Sequence, residues 1–430
     1  TVVNLSTGNT VDLYAQWRLA VAKFKPGMNV AISMRNLAQS RMWYPVNSPN
    51  NVTNRDIRDT KITAFKRAAS APNLDNIDET WGIISDSTSL DPIYMWWEPT
   101  DETNTKGTMY WWSDDVDPQL NEDASSMFLN LYALEEVDYQ SFDSTGVVNI
   151  SDMFNGTSIA TIDLSGFNTD SLTTMYRLFK YCDKLTSVTF GNNFDTSNVR
   201  NFLEVFAYAS NLTSLDISVF DTGSATNMSG LFMGTTKLQS ITYGENFKTD
   251  TVTNFSNMYN GAKALSNLDI ITTFNTSSAT NMDSMFKDCQ AITEIDVAGF
   301  NTANVTDMGS MFMNLKNISS LDIQNFDTRN VQDMSYLFRG LKNITAHPLV
   351  GENFKTASLK DMHGMYRDYS DNLTSIDLTG YDTSHVTDMS ELFMENPQLT
   401  SLNITSFVTD EVTNFSYMFD GCSGLRTVPE

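Results

Sequence analysis

The side chains best able to do chemistry recur at one phase of an internal repeat. Asp138, Asp163, Asp216, Asp269, Asp296, Asp322 and Asp377 share that position, interrupted by Thr189, Thr242, Pro348 and Asn403. Asp269, Asp296 and Asp322 fall in consecutive units. If the units stack as parallel strands, those three carboxylates lie about 5 Å apart and repel one another unless something neutralises them. Two readings stay open: a calcium or cationic-ligand stripe held by Asp269, Asp296 and Asp322, and a solvated ladder tied to neighbouring Ser and Thr hydroxyls. A glycan-hydrolysing carboxylate pair is a remote third, because it needs one acid in an apolar pocket opposite the other.

Cys182, Cys289 and Cys422 each lie three residues after an aromatic, at Phe179, Phe286 and Phe419, where other units place Thr157, Ala209, Thr235, Ala262 or Leu315. Their units are four or five apart, about 20 Å or more at strand spacing, whereas a disulfide needs Cα atoms within about 7 Å. Three free, buried, inert thiols are expected, with no metal site among them. His347, His363 and His385 fall at different phases, with no Cys-His or Ser-His-Asp pattern that the period unites, so no catalytic residue and no cofactor are expected. Gly191, Gly244 and Gly351 open Gly-x-Asn-Phe runs that are repeat variants with a longer turn, not phosphate loops. The Asn-x-Ser/Thr triplets at Asn211, Asn227, Asn317 and Asn372 follow from the repeat and are not read as glycosylation sites.

The elements that position these residues follow from two registers. An F-x-T motif places its aromatic at Phe142, Phe167, Phe194, Phe220, Phe247, Phe274, Phe300, Phe326, Phe354, Tyr381 and Phe407, in steps of 25 to 28 residues. A second aromatic recurs with the same steps at Phe128, Phe154, Phe179, Phe206, Phe232, Tyr259, Phe286, Phe312, Phe338, Tyr366, Phe393 and Phe419. Before the first aromatic, Leu215 and Ile217 alternate with Ser214, Asp216 and Ser218, as a half-buried strand requires. Two residues after it stands Thr in ten units and Ser144 in the other, a hydroxyl suited to bonding the backbone of a turn.

Further on, Asn or Asp occupies ten of eleven equivalent positions: Asn149, Asn201, Asn227, Asn254, Asn281, Asp307, Asp333, Asp361, Asp388 and Asn414, with Thr174 as the exception. Such a residue suits an N-cap, and Met308, Met311 and Phe312 at i, i+3 and i+4 share one helical face. One short parallel strand and one short helix per unit of about 26 residues are therefore expected. A unit of this size cannot bury its own apolar face, but stacked copies can. The fold class that follows is an α/β solenoid, a right-handed leucine-rich-repeat-like coil, occupying residues 121–430 with about eleven repeats and truncated at its C-terminal end.

The 430 residues carry 27 Lys and Arg against 52 Asp and Glu, a formal charge of −25. That balance disfavours nucleic acid, whose binding rests on cations. No run of 18 apolar residues would span a bilayer, and no export segment stands at the start. The chain opens mid-module and stops where another strand would begin, so it is expected to be a piece of something longer. All seven Trp, at Trp17, Trp43, Trp81, Trp96, Trp97, Trp111 and Trp112, precede the repeats. Residues 21–120 are accordingly expected to form an N-terminal cap sealing the exposed end, or a Trp platform that stacks on sugar rings. Within them Asn29 to Ser40 has helical spacing, Asn47 to Asn54 is a loop, and Pro92 to Pro99 with Gly107 to Ser113 suggests a hairpin leading to a first helix at Ser125 to Leu129.

The units from Asn211 to Thr222 and from Asn304 to Phe312 resemble BspA-like leucine-rich repeats, found in surface proteins of Gram-positive and oral bacteria and in mycoplasma lipoproteins. The resemblance spans about residues 60 to 430. The run from Gly8 to Trp17 resembles the closing strand of a Listeria–Bacteroides repeat, a stalk module of internalin-like proteins, so residues 1–20 would end a preceding β-module. The resemblance implies a secreted, cell-wall or cell-surface attached, monomeric adhesin whose partner is a host extracellular matrix protein, mucin glycan or another cell. It supplies no ligand-contacting residues. A structural spacer or self-association module in biofilm is the alternative.

Overall fold

Stacking supplies what a single unit lacks. The computed structural model describes residues 22–39, 59–89, 91–139 and 141–427. In it, parallel bridges run unbroken from Asp123 to Asn149, Thr174, Asn201, Asn227, Asn254, Asn281, Asp307, Asp333, Asp361, Asp388 and Asn414, so each unit pairs in parallel with the next at one fixed position. The chain has a repeat-type fold. The readings on Gly8–Trp17 and Asn47–Asn54 fall outside the described residues.

The strand row is less regular than the sequence suggests. It comes in pairs: β5 (Thr161–Leu164) with β6 (Ser187–Phe190), β7 (Ser214–Ile217) with β8 (Ser240–Tyr243), β9 (Asp322–Ile323) with β10 (Leu349–Val350), and β11 (Ser375–Asp377) with β12 (Ser401–Asn403). Between the second and third pairs the chain forms a 3-10 turn over Asp269–Thr273. Five positions separate Asp269 from Phe274 where four separate Asp216 from Phe220, and the tighter turn absorbs the extra residue. The following unit, around Asp296, forms no strand.

The expected helix is absent from every described repeat, Ser125–Leu129 included; a ribbon of successive turns replaces it. Met228, Gly230, Phe232 and Gly234 donate their amides to Asn254, Ser256, Met258 and Asn260 of the next unit at 2.7–3.0 Å, while Leu231 and Met233 close turns onto Met228 and Gly230 at 3.2 and 3.0 Å. Left-handed residues recur four apart, as at Ser310 (φ +54°) and Asn314 (φ +60°). An α-helix admits neither feature, since it needs right-handed φ throughout and amides directed to its own carbonyls. The expected cap is nonetheless real: Asn227 Oδ1 accepts the Ser229 amide at 2.9 Å and Asp307 Oδ1 that of Gly309 at 3.1 Å. It opens a turn ribbon instead of a helix.

Two aromatic columns fill the interior. From Phe128 to Phe312, and from Tyr366 to Phe419, successive rings of the ribbon column stack with centroids 5.5–6.2 Å apart and planes inclined by 8–23°. The Thr that follows the other column bonds between units and not within its own turn. Thr302 Oγ1 donates to Asp327 O at 2.9 Å and accepts the Asp327 amide at 2.8 Å, and Thr222, Thr249, Thr276, Thr328 and Thr383 repeat the pair of bonds.

At the N-terminal end, α1 (Gly27–Leu37) replaces the expected span from Asn29 to Ser40. Strands β1 (Ile62–Arg67), β2 (Tyr94–Pro99), β3 (Gly107–Trp112) and β4 (Glu136–Val137) form a sheet ordered β2-β3-β1-β4, with β2 and β3 as the antiparallel hairpin. Because β4 belongs to the first repeat and pairs in parallel with β1, the sheet runs directly into the stack. Phe65 meets Phe128 at 5.3 Å and Trp111 meets Phe142 at 5.6 Å, so both columns end on aromatic rings.

Candidate interaction surface

The three consecutive aspartates occupy separate settings. Asp322 lies in β9 with Leu349 as its cross-strand partner, Asp269 opens the 3-10 turn, and Asp296 lies in a unit without a strand. Asp296 Oδ1 accepts the Ala298 amide at 3.0 Å and Asp322 Oδ1 that of Gln324 at 3.0 Å, while Asp269 Oδ2 accepts from Asn267 Nδ2 at 2.9 Å. Asp163, Asp216 and Asp377 make the same bond to the amide two residues on. An aspartate that makes this bond holds the turn that follows it. At Asp163 and Asp377 the hydrogen bonds from Ser165 and Thr379 lower the carboxyl pKa. Among the described residues no group of three or more His, Cys, Asp or Glu gathers as a metal ion would require.

A closer run of carboxylates lies on the ribbon, at the position read as a cap. Asp307, Asp333, Asp361 and Asp388 occupy four consecutive rungs, bounded by Asn281, whose Nδ2 donates to Asp307 Oδ2 at 3.2 Å, and Asn414, whose Nδ2 donates to Asp388 Oδ2 at 3.0 Å. Partial burial, reinforced by Asp283 and Asp333, pushes the Asp307 carboxyl up to about 6. Burial, with Asp333 and Asp388 beside it, also raises Asp361. Asp388 is instead held below the usual carboxylate range: burial opposes this, but hydrogen bonds from Ser390 outweigh it.

Beside these rungs the period unites residues that the sequence reading kept apart. His363 and Ser390 each stand two residues after a rung aspartate, and His363 Nδ1 lies 2.5 Å from Ser390 Oγ. Ser390 Oγ donates to Asp388 Oδ1, and the Tyr336 hydroxyl contacts His363 Nε2. Glu391 Oε2 is 3.4 Å from the Tyr336 hydroxyl and pairs with Arg367, which also meets Glu395 at 3.1 Å. The serine proton is directed to Asp388 and not to the imidazole, and the far imidazole nitrogen contacts the Tyr336 hydroxyl with Glu391 Oε2 3.8 Å away, so the serine is not set against the imidazole as a nucleophile against its base. The cluster joins three units at their surface. Equal offsets from the rung aspartates were the signal that could have revealed it.

The cysteines are free and buried. Each Sγ lies 2.9–3.1 Å from a carbonyl of the preceding unit, at Phe154, Tyr259 and Phe393. Burial pushes the Cys182 thiol up to about 11 and raises Cys289 and Cys422 as well, which suppresses the reactive thiolate. The Gly-x-Asn-Phe glycines are places of close approach. A Cβ at Gly191, Gly244 or Gly351 would meet the carbonyl oxygen of Ser165, Ser218 or Gln324 at 1.9–2.1 Å.

Comparison with known proteins gives one family and one structure. The model described as "Mycoplasma protein of unknown function, DUF285" matches residues 113–191, 191–243, 236–350 and 348–428. Among solved structures, the chain is similar to one described as "Crystal structure of TLR13-ssRNA13 complex", at 13% identity and a TM-score of 0.21, covering 72% of this chain and 50% of that one. The chain thus spans about half the length of that structure's chain. No curated protein matches it.

Proposed function

Given that the chain belongs to the DUF285 family of Mycoplasma proteins of unknown function, we propose that it is a non-catalytic binding module whose stacked units display a long surface to an extended partner. The finer architecture we propose is a right-handed leucine-rich-repeat-like solenoid of the BspA-like kind. Its place would be the outside of the cell, as an adhesin-type surface protein that contacts host matrix proteins, mucin or other cells.

The observation that carries the reading is the division of labour within each unit. The rung residue, the ribbon aromatic and the buried Thr are spent on holding one unit to the next. The residue before the rung faces solvent from Thr173 onward and forms a continuous outer row, in which Thr recurs and Arg200, Gln332 and Lys360 are the exceptions. A fixed frame with a continuous exposed row along the stack suits recognition of long partners.

The test is a binding screen of the purified protein against fibronectin, fibrinogen, collagen, laminin, mucin and a glycan array, with sedimentation of the protein alone. A saturable partner, reduced by charge reversal at Arg200 or Lys360, is the expected result. Silence throughout, with concentration-dependent self-association, would replace this reading with a spacer that assembles with itself.

A further inference from the structure

The hairpin of the N-terminal sheet has two faces. One points into the core, where Met95, Met109 and Trp111 are fully buried and Trp97 is partly buried. The other carries Tyr94, Trp96, Tyr110 and Trp112, all half-buried at the surface, and none packs against the core. Tyr94 lies opposite Trp112 and Trp96 opposite Tyr110. Each pair is stacked, with centroids 6.4 and 5.9 Å apart and planes inclined by 18° and 24°. The two pairs are two residues apart along the strands, about 7 Å. Ile83, bridged to Tyr94 and more than a third exposed, extends the patch at one edge.

We propose that this face is a carbohydrate-binding platform that takes the neutral pyranose rings of an oligosaccharide. The inference rests on the binding-module reading but assigns contact to a different surface, the cap. A contiguous aromatic face left partly exposed to water marks an interaction site. Tyr and Trp supply rigid contact area with a polar edge.

Charge selects among occupants. Lys66, opposite Tyr110, is neutralised by Glu136 at 2.7 Å, and Glu98 accepts the Trp96 indole N–H at 2.7 Å. Lys66 and Glu136 cancel and Glu98 leaves the platform slightly acidic within a chain of charge −25, which suits a neutral ligand and repels nucleic acid, sulfated glycans and anionic lipid alike. Sugar rings meet these terms, presenting C–H faces to the aromatic rings and hydroxyls to the Glu98 and Lys66 rim.

Tryptophan fluorescence tests it on the native protein, because every Trp precedes the repeats. Neutral hexasaccharides of glucose, mannose and N-acetylglucosamine serve as probes, with a heparin hexasaccharide as the anionic arm. At least one neutral probe should give a saturable shift that W96A and W112A, in different pairs, each weaken about tenfold or more, with their thermal unfolding unchanged. No response to any neutral probe up to millimolar concentration, or a response equal in both variants, overturns the proposal; so does a response to heparin alone. If no neutral probe responds while the screened partner of the repeat surface still binds the native protein, the platform inference fails and the binding-module reading stands.

Discussion

At the residue scale, the buried Thr hydroxyl and the rung side chain make opposite demands. Thr302 both donates to and accepts from the backbone of Asp327, so Thr302→Val would leave a buried N–H and a buried C=O unmatched. Its cost should be about 1–3 kcal/mol, read by urea unfolding, whereas Thr302→Ser should retain most of the stability. At the rung, Asp307 is held near 6, above an unfolded value of about 4. The folded state therefore binds the proton more tightly, and stability falls as pH rises from the unfolded value through the folded one. Asp307→Asn keeps an acceptor for the Gly309 amide and removes the charge. Its melting temperature should exceed the native one at pH 7.5, and the decline between pH 4 and 6 should flatten. The repeating carboxylates at the strand ends were legible in the sequence. What each oxygen bonds was not, because an Asx turn and a cation ligand ask for the same residue type.

At the scale of elements, the period and the buried positions could be read directly, and the helix could not. Met308, Met311 and Phe312 are buried together, as their spacing suggests. That spacing fits a turn ribbon as well as a helix. The deciding facts are that the next unit provides the carbonyls and that left-handed φ falls on residues such as Ser126, Asp152, Arg177 and Glu204 more often than on glycine. Propensity was overridden by a neighbour about 26 residues away. The Gly-x-Asn-Phe units show a demand of the same origin, since their strand ends pass against the preceding unit. Gly244→Ala would drive a Cβ into the Ser218 carbonyl and should cost about 1–3 kcal/mol or more. Gly223→Ala, whose Cβ would meet only the flexible Asp221 carboxylate at 3.2 Å, should cost far less in the same thermal melt.

At the scale of the whole molecule, stability is nearly one-dimensional: each unit is held by its neighbours through stacked rings, rungs and Thr bonds. Phe312 is fully buried in the interior of the stack, and Phe312→Ala should cost about 3–5 kcal/mol. Phe419, in the last described unit, is only half-buried, and Phe419→Ala should cost less than half as much by calorimetry. The measurement that most directly tests the stacking is residue-resolved amide hydrogen exchange. In interior units the amides of Met282, Ser284, Phe286 and Asp288 donate to the following unit and should be strongly protected. Their counterparts Phe415, Tyr417 and Phe419 meet no following unit among the described residues and should exchange fast. Equal protection in the last unit, with the continuous i to i−4 pattern of a helix, would contradict the account.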